Sequence, residues 1–331
     1  MPCISTTSGK RFETIAGESL LEAGLRCGVA LGYSCRTGRC SSCKGWVRAG
    51  ETTALHEELG LTLSEREAGW ILTCVRTAAS DVEIEVDDLG DIVLPAARTF
   101  PCRIHLMERL APDVMKVLLR LPPSSPFNYL PGQYIDVIGP KGVRRSYSIA
   151  NAPREDKLIE LHVREVADGV MSNYWFQQAK ANDLLRLHGP LGTFLLREID
   201  GQDLVFLATG TGIAPVKAML EALAQRAEPS RPRSVAVYWG GRKPQDLYLT
   251  LSTVTVPVSF VPVLSRAEPD WTGARGHVQD ALLAGGPVRT GAQVFACGSK
   301  TMIHSARERL VAQGLPAKNF YFDAFVCSSS T

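Results

Sequence analysis

Nine residues, CRTGRCSSC from Cys35 to Cys43, constrain this 331-residue chain more than any other stretch. Cys35, Cys40 and Cys43 are spaced C-x4-C-x2-C, and Cys74 follows after thirty intervening residues. This is the plant-type spacing for a [2Fe–2S] cluster, in which four thiolates hold two irons. A loop that brings three sulfurs to one side needs unusual backbone. Gly38 supplies it, because glycine tolerates positive φ and lets amides turn toward the sulfurs. Two other readings stand beside the cluster. Structural zinc usually takes two C-x2-C pairs, where this chain has one, and the cysteines are otherwise unliganded thiols.

The chain is long for a single core, so two or three domains are expected. The other five cysteines (Cys3, Cys27, Cys102, Cys297, Cys327) are scattered and lack the framework of a small secreted domain. The opening MPCISTTSGKRF has no signal-like apolar run, and no stretch of eighteen apolar residues is present. A cytoplasmic protein with no membrane partner is the expectation. A net charge of only +2 argues against a nucleic-acid partner. The charge is unevenly shared: residues 1–95 hold nine basic and fourteen acidic side chains, a net of −5, which leaves +7 for the rest. Such a division either helps hold an acidic domain to a basic body or is simply solvated surface.

Three rhythms follow along the chain. Residues 1–95 read as a small α+β unit: a polar hairpin, then SLLEAGLRCG, with Ser19 and Glu22 as a capping box and Gly28 as a left-handed stop. A strand around Trp46 and Val47 turns at Ala49-Gly50, and Val82, Ile84 and Val86 alternate with charges as a half-buried strand. Asp87 to Pro101, with two prolines and little periodicity, reads as a linker. Residues 96–199 carry short alternating strands (VMKVLLRL, QYIDVI, RRSYSIA, LIELHVREV) and one helix from about Val170 to Lys180, which suggests an antiparallel barrel. From 200 to 331, apolar strands alternate with amphipathic helices, the pattern of a parallel sheet covered on both faces. The only low-complexity tract is the terminal SSST.

Several short motifs carry chemistry. ATGTGIAP, 208–215, lies where a strand meets a helix. Gly210 and Gly212 permit close approach of a pyrophosphate, although Pro215 stands where a G-x-G-x-x-G fingerprint has its third glycine. In RRSYS, Arg145 and Tyr147 share one face of a strand and Ser148 takes the other, an arrangement suited to a phosphate and a planar ring. GVMS, 169–172, opens the one helix of that region and offers amides and the Ser172 hydroxyl to an anion. Each motif alone is equally compatible with packing and capping.

In order, R-x-Y-S, G-x-x-S, G-T-G-x-A-P and the pair Cys297-Gly298 resemble the ferredoxin–NADP reductase superfamily from about residue 102 onward. Residues 3 to 90 resemble a plant-type ferredoxin. RRSYSIANAP, YLPGQYIDVI, WTGARGHVQ and DAFV look most like the CDP-6-deoxy-3,4-glucoseen reductase family. The resemblance implies a β-grasp ferredoxin domain, an antiparallel FAD-binding β-barrel and a parallel-sheet nicotinamide-binding α/β domain. It implies FAD, NADH and a [2Fe–2S] cluster as cofactors, the last held by Cys35, Cys40, Cys43 and Cys74. Electrons would enter as hydride and leave to a protein acceptor, either a deoxysugar dehydrase or the terminal component of a Rieske-type or other oxygenase.

Carried over by position, Arg145, Tyr147 and Ser148 hold FAD, flanked by His162, Val163 and Arg164. Gly169, Val170, Met171 and Ser172 receive its pyrophosphate. Gly210, Thr211 and Gly212 meet NADH, with Cys297 and Gly298 near the nicotinamide. Ser148, Cys297 and Phe325 lie nearest the chemistry. Two departures stand out: Thr209 replaces a glycine before G-T-G, which makes that loop less permissive, and Ser41 stands where glycine or alanine is usual, its hydroxyl available to a cluster sulfur. Arg242 and Lys243 would suit a 2′-phosphate, but Asp246 beside them favours NADH. Arg36, Arg39 and Lys44 bracket the cluster cysteines as a basic rim for an acidic partner, or as solvated side chains.

Overall fold

The capping box forms at the start of the first helix. Ser19 Oγ accepts from the Glu22 N–H and the Glu22 carboxylate accepts from the Ser19 N–H, both at 3.2 Å. Gly28 ends that helix at φ +77°. In this computed structural model, which describes residues 1–226, 231–250 and 258–326, Cys327 and the terminal SSST lie outside the described residues. The described chain divides into two compact units. One comprises Met1–Leu94, Gly192–Phe194 and the residues from Asp323; the other comprises Pro95–Leu191 and Leu195–Phe322.

The first unit contains β1 (Cys3–Thr6), β2 (Arg11–Glu13), α1 (Leu20–Arg26), β3 (Lys44–Ala49), β4 (Thr52–Ala54), α2 (Leu63–Glu67), β5 (Trp70–Leu72), β6 (Arg76–Ala78) and β7 (Val82–Val86). Five strands make one sheet in the order β2-β1-β7-β3-β5, with β1 and β7 parallel, the β-grasp arrangement. Leu20, Leu21 and Ala23 of α1 pack on Ile4, Phe12, Ile71, Val82 and Ile84 of the sheet. The alternation in VEIEV is therefore what buries one face of β7.

The second unit begins earlier than the linker expectation allowed. β8 (Arg98–Ala111) is already paired at Arg98, so residues 98–101 are strand and not linker. β9 (Val114–Arg120), β10 (Tyr134–Ile138), β11 (Arg144–Ser148), β12 (Ile159–Arg164) and β13 (Leu184–Leu191) complete an antiparallel sheet ordered β11-β10-β13-β8-β9-β12. A bridge from Ile149 to Leu161 joins its two edges and closes a barrel around Ile104, Val117, Leu119, Ile135, Val137, Leu161 and Leu187. The one helix of this region is shorter than expected. α3 spans Val170–Asn173 and then widens into a π turn over Tyr174–Gln178, closed by the Ala179 N–H on the Tyr174 carbonyl at 2.8 Å.

β14 (Asp203–Thr209), α4 (Ile213–Ala224), β15 (Ser234–Gly241), β16 (Val258–Leu264), β17 (Ala274–Arg275), α5 (Val278–Ala284), β18 (Gln293–Ser299), α6 (Lys300–Ala312) and β19 (Phe320–Phe325) follow. The sheet order is β17-β16-β15-β14-β18-β19, and β14 pairs in parallel with both β15 and β18. The strand order reverses between β14 and β18. In open α/β sheets, ligands bind at the carboxyl ends of the strands beside that reversal. Among the described residues, no helix is long and apolar enough to cross a membrane.

Candidate cofactor sites of an electron-transfer chain

The cysteine loop follows α1, and its turns rest on three residues with positive φ: Arg36 (+58°), Gly38 (+71°) and Ser41 (+66°). At Gly38 a Cβ would stand 2.5 Å from the Glu57 carbonyl, so only glycine fits both the turn and the neighbour. Amides turn to sulfur as expected: Cys35 N–H donates to Cys40 Sγ and Thr37 N–H to Cys35 Sγ, each at 3.4 Å. The sulfurs lie as two pairs. Cys43 and Cys74 are 3.2 Å apart, and Cys35 and Cys40 share a hydrogen bond that drives Cys35 down to about 5 while Cys40 rises well above an ordinary thiol. Two pairs of cysteine sulfurs would give two irons two protein ligands each.

Two expectations around this loop are corrected. The Ser41 hydroxyl donates to the Gly60 carbonyl at 2.6 Å, so its proton is not directed to a sulfur. Lys44 is no part of an open basic rim, since its ammonium pairs with Glu65 and lies 4.4 Å from the Trp70 ring centre. Arg36 is also partnered, at 3.2 Å from Glu22. Sequence reasoning missed the segments that complete the loop's surroundings. The Tyr33 N–H donates to Thr193 Oγ1 at 2.6 Å, and Ser34 Oγ donates to the buried Asp323 carboxylate at 2.5 Å. Burial pushes Asp323 up to about 6 against that hydrogen bond. Partners 160 and 289 residues distant leave no local signal.

The RRSYS strand, β11, pairs with β10 so that Val137 faces Arg145, Ile135 faces Tyr147 and Tyr134 faces Ser148. Tyr147 packs on the barrel core, and its oxygen accepts from Trp175 Nε1 at 2.9 Å, with burial pushing its hydroxyl up to about 12. Trp175, from the π turn, was not singled out by sequence. Arg145 donates to the Arg144 carbonyl at 2.8 Å and forms no ion pair among the described residues. An uncompensated guanidinium beside an aromatic ring on a half-buried strand suits a ligand with both phosphate and planar ring, as FAD has. Gly169, Val170, Met171 and Ser172 open α3, whose first amides have no intrahelical acceptor. Ser172 Oγ accepts from the Val166 N–H at 2.9 Å, which leaves the hydroxyl proton to donate.

β12 carries the three residues expected to flank the flavin. Val163 lies in the barrel core and the His162 side chain is wholly enclosed, so neither presents a side chain at the surface and only their backbone could flank a flavin. Arg164 does present one, but toward the G-T-G loop: a Cβ on Gly210 would stand 2.5 Å from Arg164 Nη1. Asp113 Oδ2 accepts from Arg164 Nε at 2.8 Å and steadies it.

The G-T-G loop and the Cys297-Gly298 pair are brought together at the strand reversal. Gly210 is at φ +54°, and Trp239 Nε1 donates to its carbonyl at 2.9 Å. A side chain on Gly212 would clash with the Cys297 carbonyl, and one on Gly298, at φ +123°, would clash with Thr209 Oγ1. Thr211 and Cys297 are buried beside them. The concern over Thr209 is answered by geometry. It ends β14 at φ −129°, an extended conformation open to any residue, and its Oγ1 accepts from the Ser299 N–H at 2.9 Å. Phe325 belongs to the first unit and is exposed at the end of β19.

A thiolate loop built for two irons, a barrel strand for a flavin and a switch-point loop for a dinucleotide define an electron-transfer oxidoreductase. Known proteins agree domain by domain. The 2Fe-2S iron-sulfur cluster binding domain matches residues 5–79, the oxidoreductase FAD-binding domain 101–195 and the oxidoreductase NAD-binding domain 206–308. The CDP-6-deoxy-L-threo-D-glycero-4-hexulose-3-dehydrase reductase of Yersinia pestis is 41% identical over 97% of both chains. Terephthalate 1,2-dioxygenase reductase component 1 of Comamonas sp is 34% identical over 96% of this chain and 95% of its own. The crystal structure of the Amycolatopsis cytochrome P450 reductase GcoB superposes with a TM-score of 0.76 at 33% identity, covering 98% of this chain and 99% of its own. The chain belongs to the ferredoxin–NADP reductase superfamily, as an iron–sulfur flavoprotein reductase with an N-terminal plant-type [2Fe–2S] domain.

Proposed function

We propose that the protein draws electrons from NADH and delivers them to a separate CDP-deoxysugar 3-dehydrase. The observation that carries this reading is the 41% identity to the Yersinia pestis dehydrase reductase across 97% of both chains. When bound, the flavin takes two electrons as hydride and the cluster passes them on singly. The chain's own residues bind and orient these groups. Cys35, Cys40, Cys43 and Cys74 hold the cluster; Arg145, Tyr147 and Ser148 hold the flavin, with the amides of Gly169 to Ser172 on its pyrophosphate. Gly210, Thr211 and Gly212 receive NADH, and Arg164, clamped at 2.8 Å by Asp113, turns its guanidinium to the same loop. Cys297 and Gly298 border the nicotinamide.

The similarity to the Comamonas dioxygenase reductase component supports a second reading, delivery to a terminal oxygenase. Purified acceptors distinguish the two. With NADH in excess, the dehydrase reaction should turn over at low reductase concentration and a Rieske oxygenase should not. Efficient oxygenase turnover without dehydrase turnover would replace the proposed acceptor.

A further inference from the structure

Helix α4 places a half-buried ammonium group in the second unit. Lys217 Nζ donates to the Ala150 carbonyl at 3.1 Å and to Glu221, one turn on, at 2.6 Å, and lies 3.1 Å from Glu160 Oε1. The other Glu221 oxygen accepts from the Ala152 N–H at 2.9 Å. Glu160 is buried on β12, where it also accepts from Arg154 at 2.9 Å and meets His162 Nε2 at 2.9 Å. The far ring nitrogen of His162 meets the Tyr248 hydroxyl at 3.2 Å. Burial alone would raise the Glu160 carboxyl, but the His162 hydrogen bond and the charge of Lys217 hold it well below its ordinary value, as carboxylate.

Exposed ion pairs contribute little and replacing buried ones by apolar packing is often neutral or stabilising, so stability is a weak reason for this half-buried network. Its directional bonds do something packing does not, which is to fix register. Lys217 comes five residues after Gly212, and Ala150 two residues after Ser148. The network is thus a short, hydrogen-bonded route from the start of the dinucleotide helix to the end of the flavin strand. Hydride transfer needs its two rings aligned, and about 1 Å of misplacement costs on the order of a hundredfold in rate.

We propose that Lys217, seated on Glu160 and Ala150 and braced by Glu221, is a positioning residue that sets the nicotinamide in register with the flavin. This rests on the reading of the two motifs as cofactor sites. The test is single-turnover flavin bleaching by NADH, and by NADH deuterated at C4, in FAD-loaded Lys217→Met and Lys217→Arg. Lys217→Met should slow bleaching at saturating NADH by about tenfold to a hundredfold, with FAD content and NADH affinity within about twofold of the parent. Its deuterium isotope effect should rise, and Lys217→Arg, which keeps charge and donors, should recover most of the rate. If Lys217→Met does not fold, Glu221→Gln should show the same slowing in milder form. A parental saturated rate in the loaded variant, or a loss that tracks FAD content alone, would overturn the proposal. A parent that NADH does not bleach would instead sink the reading of the cofactor sites.

Discussion

At Gly298 the absence of one methyl group lets two loops touch. Its backbone lies at φ +123°, and a Cβ there would clash with Thr209 Oγ1 and stand 2.7 Å from the Thr209 carbonyl. Thr209 cannot easily yield, because its hydroxyl oxygen accepts the Ser299 N–H. Gly298→Ala should therefore cost on the order of 1–3 kcal/mol in backbone strain and push the G-T-G loop off its seat. KM for NADH should rise while FAD remains bound. An unchanged KM in the FAD-loaded variant would mean that the dinucleotide does not lie on this loop. Ser41 shows the same dependence on backbone. At φ +66° it occupies a conformation that favours glycine, and its hydroxyl, turned to Gly60, stabilises the turn instead of addressing a sulfur.

Between β15 and the residues leading to Tyr248, a short loop bears on the choice of nicotinamide. Asp246 Oδ2 accepts from the N–H groups of Arg242 and Lys243 at 2.7 and 3.1 Å, while its other oxygen is 3.7 Å from Arg164. A fixed carboxylate at the end of the second parallel strand disfavours the extra charge of a 2′-phosphate. NADH should exceed NADPH in kcat/KM by on the order of tenfold or more, and Asp246→Asn, which keeps an acceptor and removes the charge, should narrow the gap. Parity in the parent would end the argument. Elements such as α1, β7 and the parallel strands were legible because their signals are local: a capping box, a period-two alternation, strand and helix in turn. β8 was not. Phe100, Cys102 and Ile104 alternate inward, yet Pro101 reads as a breaker, and the partner that makes it a strand, β13, is some eighty residues away. The cysteine loop stood out as a candidate site from its spacing and the G-T-G loop from its place in an ordered set of motifs, whereas Trp175, Lys217 and Asp323 meet partners that only the fold brings near. The i, i+4 spacing of Lys217 and Glu221 is a local signal of that network, but such spacing is common on helix surfaces and marks no site by itself.

The candidate redox residues fall in two units with separate cores, one built around Ile4, Leu20, Ile71 and Ile84 and the other around Ile104, Val117, Ile135 and Leu161. Cys74 belongs to the first, in the turn Thr73–Val75 between β5 and β6, with its sulfur 3.2 Å from Cys43. Arg145, Gly210, Lys217 and Gly298 all belong to the second. Damage to one set of candidate ligands should not propagate to the other, since the two units have separate cores. Cys74→Ser replaces a thiolate by a hydroxyl that is a poor iron ligand, so iron and acid-labile sulfide should fall by about tenfold or more. Stopped-flow bleaching of the flavin by NADH should stay within about twofold of the parent, because hydride transfer is set by the alignment of the two rings alone. Delivery to the protein acceptor should be lost with the cluster. If bleaching slowed in step with iron in a folded, FAD-loaded variant, the two sites would be energetically coupled and the modular scheme would be wrong.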